Sequence, residues 1–144
     1  MGIFDSMQIN TSGLNLERLK LDIISSNIAN VNTTRTPDGG PYLKKEVNFE
    51  ESIKKQKSYL TNKVINKSFG VHATDIEEDA ENTKLVFEPD HPDADVDGYV
   101  AYPNMDMADE MIDLITTLRT YDANVTAMNA SKAMLNKALQ ISKT

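Results

Sequence analysis

A chain of 144 residues is long enough for one domain, or for a small domain with extensions, and 40% hydrophobic residues support a modest core. The absence of cysteine excludes disulfides, thiol nucleophiles and thiolate metal sites, and a formal net charge of −7 argues against a nucleic-acid partner, whose phosphates need Lys and Arg. The opening MGIFDSMQIN has no basic start followed by an apolar h-region, and no run approaches the roughly 18 apolar residues of a membrane span. Composition alone therefore predicts a soluble, cytoplasmic protein with no membrane insertion.

Residues 1–33 carry a heptad-like stripe: Ile3, Met7, Asn10, Leu14, Glu17, Leu21, Ile24, Ile28 and Val31. Leu16, Leu19 and Ile23 form a second stripe on another face, so this N-terminal helix must be covered on two sides. NTSG, ending at Gly13, weakens its first turns, and Met1–Ser12 is expected to be loose in an isolated chain. SNIANVNTT then places Asn27, Asn30 and Asn32 just before RTPDGGP breaks the helix. A helix built only for stability would avoid that cluster, because Asn side chains compete for backbone hydrogen bonds. Asn32 suits a turn. Asn27 and Asn30 lie beside the stripe, three residues apart, and are read as amides that bond a neighbouring helix or subunit and fix its register.

Residues 34–103 hold all five prolines (37, 41, 89, 92 and 103) and read as short strands and turns. YLKKEVNF and KLVFE have β-type content, and VDGYVAY sets Asp97-Gly98 before an alternating strand. Charge is split: residues 34–67 carry +4 and residues 68–103 carry −9. DADVDGYV resembles the start of an EF-hand loop, with Asp93, Asp95 and Asp97 at positions 1, 3 and 5 and Gly98 at 6. Position 12 is Asn104 where the closing Glu should stand, so an acidic turn is the better reading. His91 and Asp93 lie close together in HPDAD without a third ligand or an activated nucleophile, and no phosphate loop or Ser-centred elbow appears. No cofactor, metal site or enzymatic activity is expected.

Residues 104–144 contain neither Gly nor Pro, permitting one helix of about 40 residues, roughly 60 Å long. Asn104 is a plausible N-cap, Asp106, Asp109 and Glu110 suit the positive helix start, and Lys132, Lys137 and Lys143 suit the other end. Steps of four and three join Met107, Met111, Leu114, Leu118, Tyr121, Val125, Met128, Lys132, Leu135 and Leu139, which meets the coiled-coil pattern. Ala123, Ala127, Ala130, Ala133 and Ala138 add small surfaces beside this seam. The predicted fold is α+β: long terminal helices (1–33 and 104–144) forming an antiparallel coiled coil, with a small β-rich insert (34–103) between them. The predicted assembly interface comprises Asn27, Ile28, Asn30, Val31, Met111, Leu114, Leu118, Tyr121, Val125, Met128, Leu135 and Leu139.

SGLNLERLKLDIISSNIANVNTT resembles the N-terminal signature of the rod and hook proteins of the bacterial flagellum, with its Ala-Asn and following Thr at Ala29, Asn30 and Thr33. YLKKEVNF, GVHATDIEED, KLVFEPDHPDADVDGYVAYPN and EMIDLITTLRTYDANVTAMNASKAMLNKAL extend the similarity to a rod protein over nearly the whole chain; the HPDAD, GYV and YPN pieces are the most specific. The lysine-rich stretch Lys54–Lys67 and Asp122 depart from the family pattern. The resemblance implies a structural subunit of the proximal rod, the drive shaft between membrane ring and hook. It also implies export through the flagellar type III apparatus to the periplasmic rod, replacing the cytoplasmic expectation. Implied partners are other rod proteins, further copies of itself, the rod–ring adaptor and the membrane ring. Two alternatives from other classes are a cytoplasmic coiled-coil adaptor or chaperone and an acidic calcium-binding module.

Overall fold

The structure, a computed structural model, describes residues 3–37, 39–57, 64–79 and 83–141, with backbone alone at 3, 54–57 and 64–66. Its element order is α1 (Ile3–Ala29), β1 (Lys45–Lys57), β2 (Val64–Glu78), β3 (Thr83–Phe87), β4 (Tyr99–Pro103) and α2 (Met107–Ile141). The class is α+β: a helix near each end and a β-rich insert of two antiparallel hairpins, β1–β2 and β3–β4.

The helices run antiparallel. Asn27 meets Glu110, Gly13 meets Asn124, and Thr11 meets Met128. Gly13 does not break α1, which runs through the segment expected to be loose from Ile3 onward; Met1 and Gly2 lie outside the described residues. A Cβ at Gly13 would lie 3.1 Å from the Asn124 amide nitrogen, so the missing side chain leaves room for that amide. The cap of α2 differs from the expected Asn104. Asp106 takes the role, its carboxylate accepting the Ala108 N–H at 2.8 Å, and the helix starts three residues later than read, with 35 residues. Of the C-terminal cations, Lys143 lies outside the described residues.

The predicted seam of α2 is divided. Leu114, Tyr121, Val125, Met128 and Leu135 are half-buried, whereas Met107, Met111, Leu118 and Leu139 are 44–54% exposed. The buried positions of α2 are Glu110, Thr117 and Ser131, and Asn124 completes a step of seven residues between them. The inward face thus alternates a polar layer with the apolar layer Leu114, Tyr121, Met128 and Leu135. One residue corresponds to about 100° of helix rotation, enough to turn Met111 and Leu118 away from α1.

The β1–β2 hairpin lies along α1 and includes most of the lysine-rich stretch, of which residues 58–63 lie outside the described residues. Lys20 Nζ sits 4.5 Å from the centre of the Phe49 ring, the Val71 N–H donates to Ser12 Oγ at 3.1 Å, and Lys67 pairs with Asp5 at 2.6 Å. A register shift sets Phe69 and Gly70 opposite Ser52 and presses Gly70 onto the helix. With φ at +106°, a Cβ on Gly70 would stand 1.9 Å from Ser12 Oγ. In the insert's second hairpin, the Asp95 carboxylate accepts the Asp97 N–H and the Gly98 N–H returns to the Asp95 carbonyl, so the acidic stretch is folded as a turn. Asp93 accepts a hydrogen bond from Thr34 Oγ1 at 2.8 Å and lies 3.6 Å from Arg35, tying that turn to the chain leaving α1.

Among the described residues only Leu16, Tyr42 and Val100 are buried core hydrophobics. Gly70→Ala should therefore unfold the hairpin–helix contact at a cost of about 2–4 kcal/mol, combining backbone strain with the clash. Gly40→Ala, where φ is +83° with nothing within 4 Å, should cost only about 1 kcal/mol. Urea unfolding of both variants checks this; equal destabilisation would remove the packing role of Gly70.

A buried polar junction and an uncovered helix face

Asn27 is 1% exposed and sits where α1, the start of β1 and the first turn of α2 converge. Its Nδ2 donates to the Lys45 carbonyl at 3.0 Å and to Glu110 Oε2 at 3.2 Å. Its Oδ1 accepts the Lys45 N–H at 3.1 Å and the Tyr42 hydroxyl at 3.1 Å. Both donors and both acceptor sites of the amide are therefore used. Toward Lys45 the side chain acts as a strand would, engaging the N–H and C=O of one residue. Ser26 Oγ lies 3.2 Å from the Tyr42 hydroxyl and extends the network.

Glu110 is 2% exposed, and a carboxylate so deeply buried needs a counter-charge and hydrogen bonds. Lys44 Nζ lies 3.1 Å from Glu110 Oε1 and 3.1 Å from Glu46. Desolvation pulls the Lys44 ammonium down, but hydrogen bonds and charge from Glu46 and Glu110 outweigh it and leave the group above its ordinary value. Its stabilising contribution is thus present through neutral pH and lost only when strongly alkaline solution deprotonates the folded form. The first turn of α2 also favours a carboxylate at Glu110.

The other asparagines behave differently. Asn30 Nδ2 donates to the Ser26 carbonyl at 2.9 Å, and its Oδ1 accepts from Thr33 Oγ1 at 3.2 Å. Its amide closes the end of its own helix, adding a second hydrogen bond to the Ser26 carbonyl, which also accepts the Asn30 N–H at 3.1 Å. Asn32 is exposed in the following turn, while Ile28 and Val31 are half-buried. The sequence pattern could single out Asn27 but not Glu110, Lys44, Tyr42 and Lys45, which approach it from distant parts of the chain. Beside the junction opens a cleft of about 390 Å³ walled by α1, β1 and α2, with Lys20, Lys45 and Glu46 on one side and Asp113 and Thr116 on the other.

Away from the junction, Met107, Met111, Ile115 and Leu118 make an exposed apolar strip on the first three turns of α2, with Ile112 beside it. Exposed apolar side chains grouped in this way are unusual on a surface in water. Leu135 is half-buried, because the antiparallel register brings it level with the first turn of α1; Leu139 lies past that end and is 54% exposed. Among the described residues no three His, Cys, Asp or Glu side chains converge on a metal site, and no helix is long and apolar enough to cross a membrane.

Asn27→Ala should destabilise the monomer by about 2–4 kcal/mol, since it removes one hydrogen bond from the buried Glu110 carboxylate, two from the Lys45 backbone and one from the Tyr42 hydroxyl. Asn30→Ala should cost about 1 kcal/mol, the loss of a helix-end bond. Denaturant midpoints decide between them, and a near-neutral Asn27→Ala would show that the junction is not structural.

The family model described as flagella basal body rod protein matches residues 7–35, covering most of α1 and its terminal turn. The model for the flagellar basal body rod FlgEFG protein C-terminal region matches residues 96–141, from the acidic turn through α2. The flagellar basal-body rod protein FlgC of Borreliella burgdorferi is 41% identical over 152 aligned residues, covering 98% of each chain. Those of Bacillus subtilis and Escherichia coli O6:H1 are 41% and 33% identical, covering 99% and 98% of this chain and 100% and 98% of their own. The chain belongs to the FlgC family of flagellar basal-body rod proteins.

Proposed function

We propose that this protein is a structural subunit of the proximal rod of the bacterial flagellum, without enzymatic activity, and that it helps to carry torque from the motor to hook and filament. The observation that carries the reading is similarity to FlgC proteins along the whole chain rather than over one element. The structure supplies a physical rationale. A shaft needs stiff elements and many lateral contacts, and the chain offers two long antiparallel helices with an apolar strip that its own fold leaves bare.

On this reading residues 1–33 and 104–144 form an antiparallel coiled coil, and residues 34–103 form the insert that fixes the helices relative to each other. The assembly interface draws on Met111, Leu118 and Leu139, which are outward now, with Val125 at its margin. Leu114, Tyr121, Met128 and Leu135 hold the intrachain pair, and Asn27, Ile28, Asn30 and Val31 hold its junction end. The subunit is exported by the type III apparatus and works in the periplasmic rod beside other rod proteins, further copies of itself, the rod–ring adaptor and the membrane ring.

Leu118→Asp tests the outward face, because Leu118 is 44% exposed and the change should alter monomer stability by less than about 0.5–1 kcal/mol. In the assembled rod the same carboxylate would be buried without a partner. The variant should be expressed and exported yet leave cells non-motile and without rods beyond the membrane ring in electron micrographs. Wild-type swimming with the variant present in purified basal bodies would show that this face is not an assembly surface.

A further inference from the structure

Apart from its first turn at the junction, α2 packs against α1 alone among the helices and strands, so most of its surface is bare. The bare surface differs between its two halves. Residues 107–118 present Met107, Met111, Ile115 and Leu118, all exposed. Residues 123–134 present Ala123, Ala127, Ala130 and Met134, exposed as well. Met107 and Ala123, Met111 and Ala127, and Leu118 and Met134 are each 16 residues apart. At about 100° and 1.5 Å per residue, that step turns the helix by about 160° and advances it by about 24 Å. A face of large apolar side chains and a face of mostly small ones thus stand on nearly opposite sides of one helix, displaced along its axis.

Charge follows the same division. The exposed charges of residues 107–122 are Asp109, Asp113 and Asp122 against Arg119. Residues 123–141 carry Lys132 and Lys137, both exposed, and no carboxylate. Two parallel copies of α2 set side by side without an offset would therefore bring acidic half to acidic half. A shift of 16 residues brings the acidic, large-residue half of one copy to the basic, small-residue half of the next. Large side chains facing small ones also let two helices close on each other without voids or overlap.

We propose that α2 of one copy of this protein docks on α2 of the next, parallel and shifted by 16 residues, with the Met107–Leu118 strip seated on the Ala123–Met134 face. This rests on the reading of the chain as a rod subunit and deepens it by naming the occupant of the bare strip, a second copy. Subunits of a rod point one way along its axis. An interface between two different faces then propagates from copy to copy and does not close into a dimer.

The chain has no cysteine, so disulfides introduced in pairs report the register directly. The variant Met111→Cys/Ala127→Cys is oxidised in purified basal bodies and resolved on a denaturing gel without reductant. Each copy offers one thiol to each neighbour, so a ladder of covalent dimers, trimers and longer chains is expected. Met111→Cys alone and Ala127→Cys alone should stay monomeric. A dimer from either single variant, or no ladder from particles that contain the double variant, would overturn the inference. A steric test runs in parallel. Ala127→Leu puts a large side chain on the small face and should lower recovery from basal bodies at least about tenfold, with an unchanged monomer melting curve. Adding Met111→Ala to the same chain removes the side chain opposite and should restore recovery to within about twofold of wild type. Normal recovery of Ala127→Leu, or failure of Met111→Ala to restore it, would also overturn the inference. Absence of the wild-type subunit from the particles would instead refute the rod reading itself.

Discussion

The end of α1, the start of β1 and the first turn of α2 converge on one buried amide. Asn27 uses all its hydrogen-bonding capacity to hold β1 and α2 against α1, and the Glu110 carboxylate it helps to satisfy is neutralised by Lys44 from the same loop–strand corner. With so few buried apolar side chains, hydrophobic burial alone specifies little about how the helices and hairpins are set relative to one another. A polar network supplies that specification because it tolerates no slippage. Moving α2 by one residue would turn Glu110 away from Asn27 and leave two buried polar groups unpaired.

The junction also explains why the inner seam of α2 is half polar. Glu110, Thr117, Asn124 and Ser131 recur every seven residues on the face toward α1, with Ser131 satisfied by its own helix through the Ala127 carbonyl. Polar and small layers define register at the expense of affinity, a division known from coiled coils that carry a single buried Asn. The apolar side chains displaced from that seam lie on the outside of the subunit. A chain organised this way holds its helices in register by polar contacts and leaves part of its hydrophobic surface exposed.

Much of this was legible in the sequence, and what escaped it has a physical cause. Helix breakers located the two helices and the insert, and the Asp97-Gly98 signal located the second hairpin. The face of α2 toward α1 departs from the apolar periodicity by one residue at every second position: Glu110 and Thr117 are buried where the apolar pattern points to Met111 and Leu118, because periodicity carries no sign of a buried polar network. Gly13 was read as a weak point, although its value lies in the space it leaves for Asn124 across the interface, a contact between residues far apart in the chain. Gly70 gave no local sign that Ser12 would press against it. The asparagine cluster drew attention to the right place, yet three residues of one type perform three tasks, and only tertiary partners separate Asn27 from Asn30.

In the assembled rod this subunit should keep its polar junction intact and present the bare face of α2 to other subunits. Cryo-electron microscopy of intact basal bodies measures both at once. Met111, Leu118 and Leu139 should be packed against apolar side chains of neighbouring helices, with Asn27 still bonded to Lys45 and Glu110. Rods in which that face of α2 lies open to solvent, or in which Asn27 has left Glu110, would contradict it.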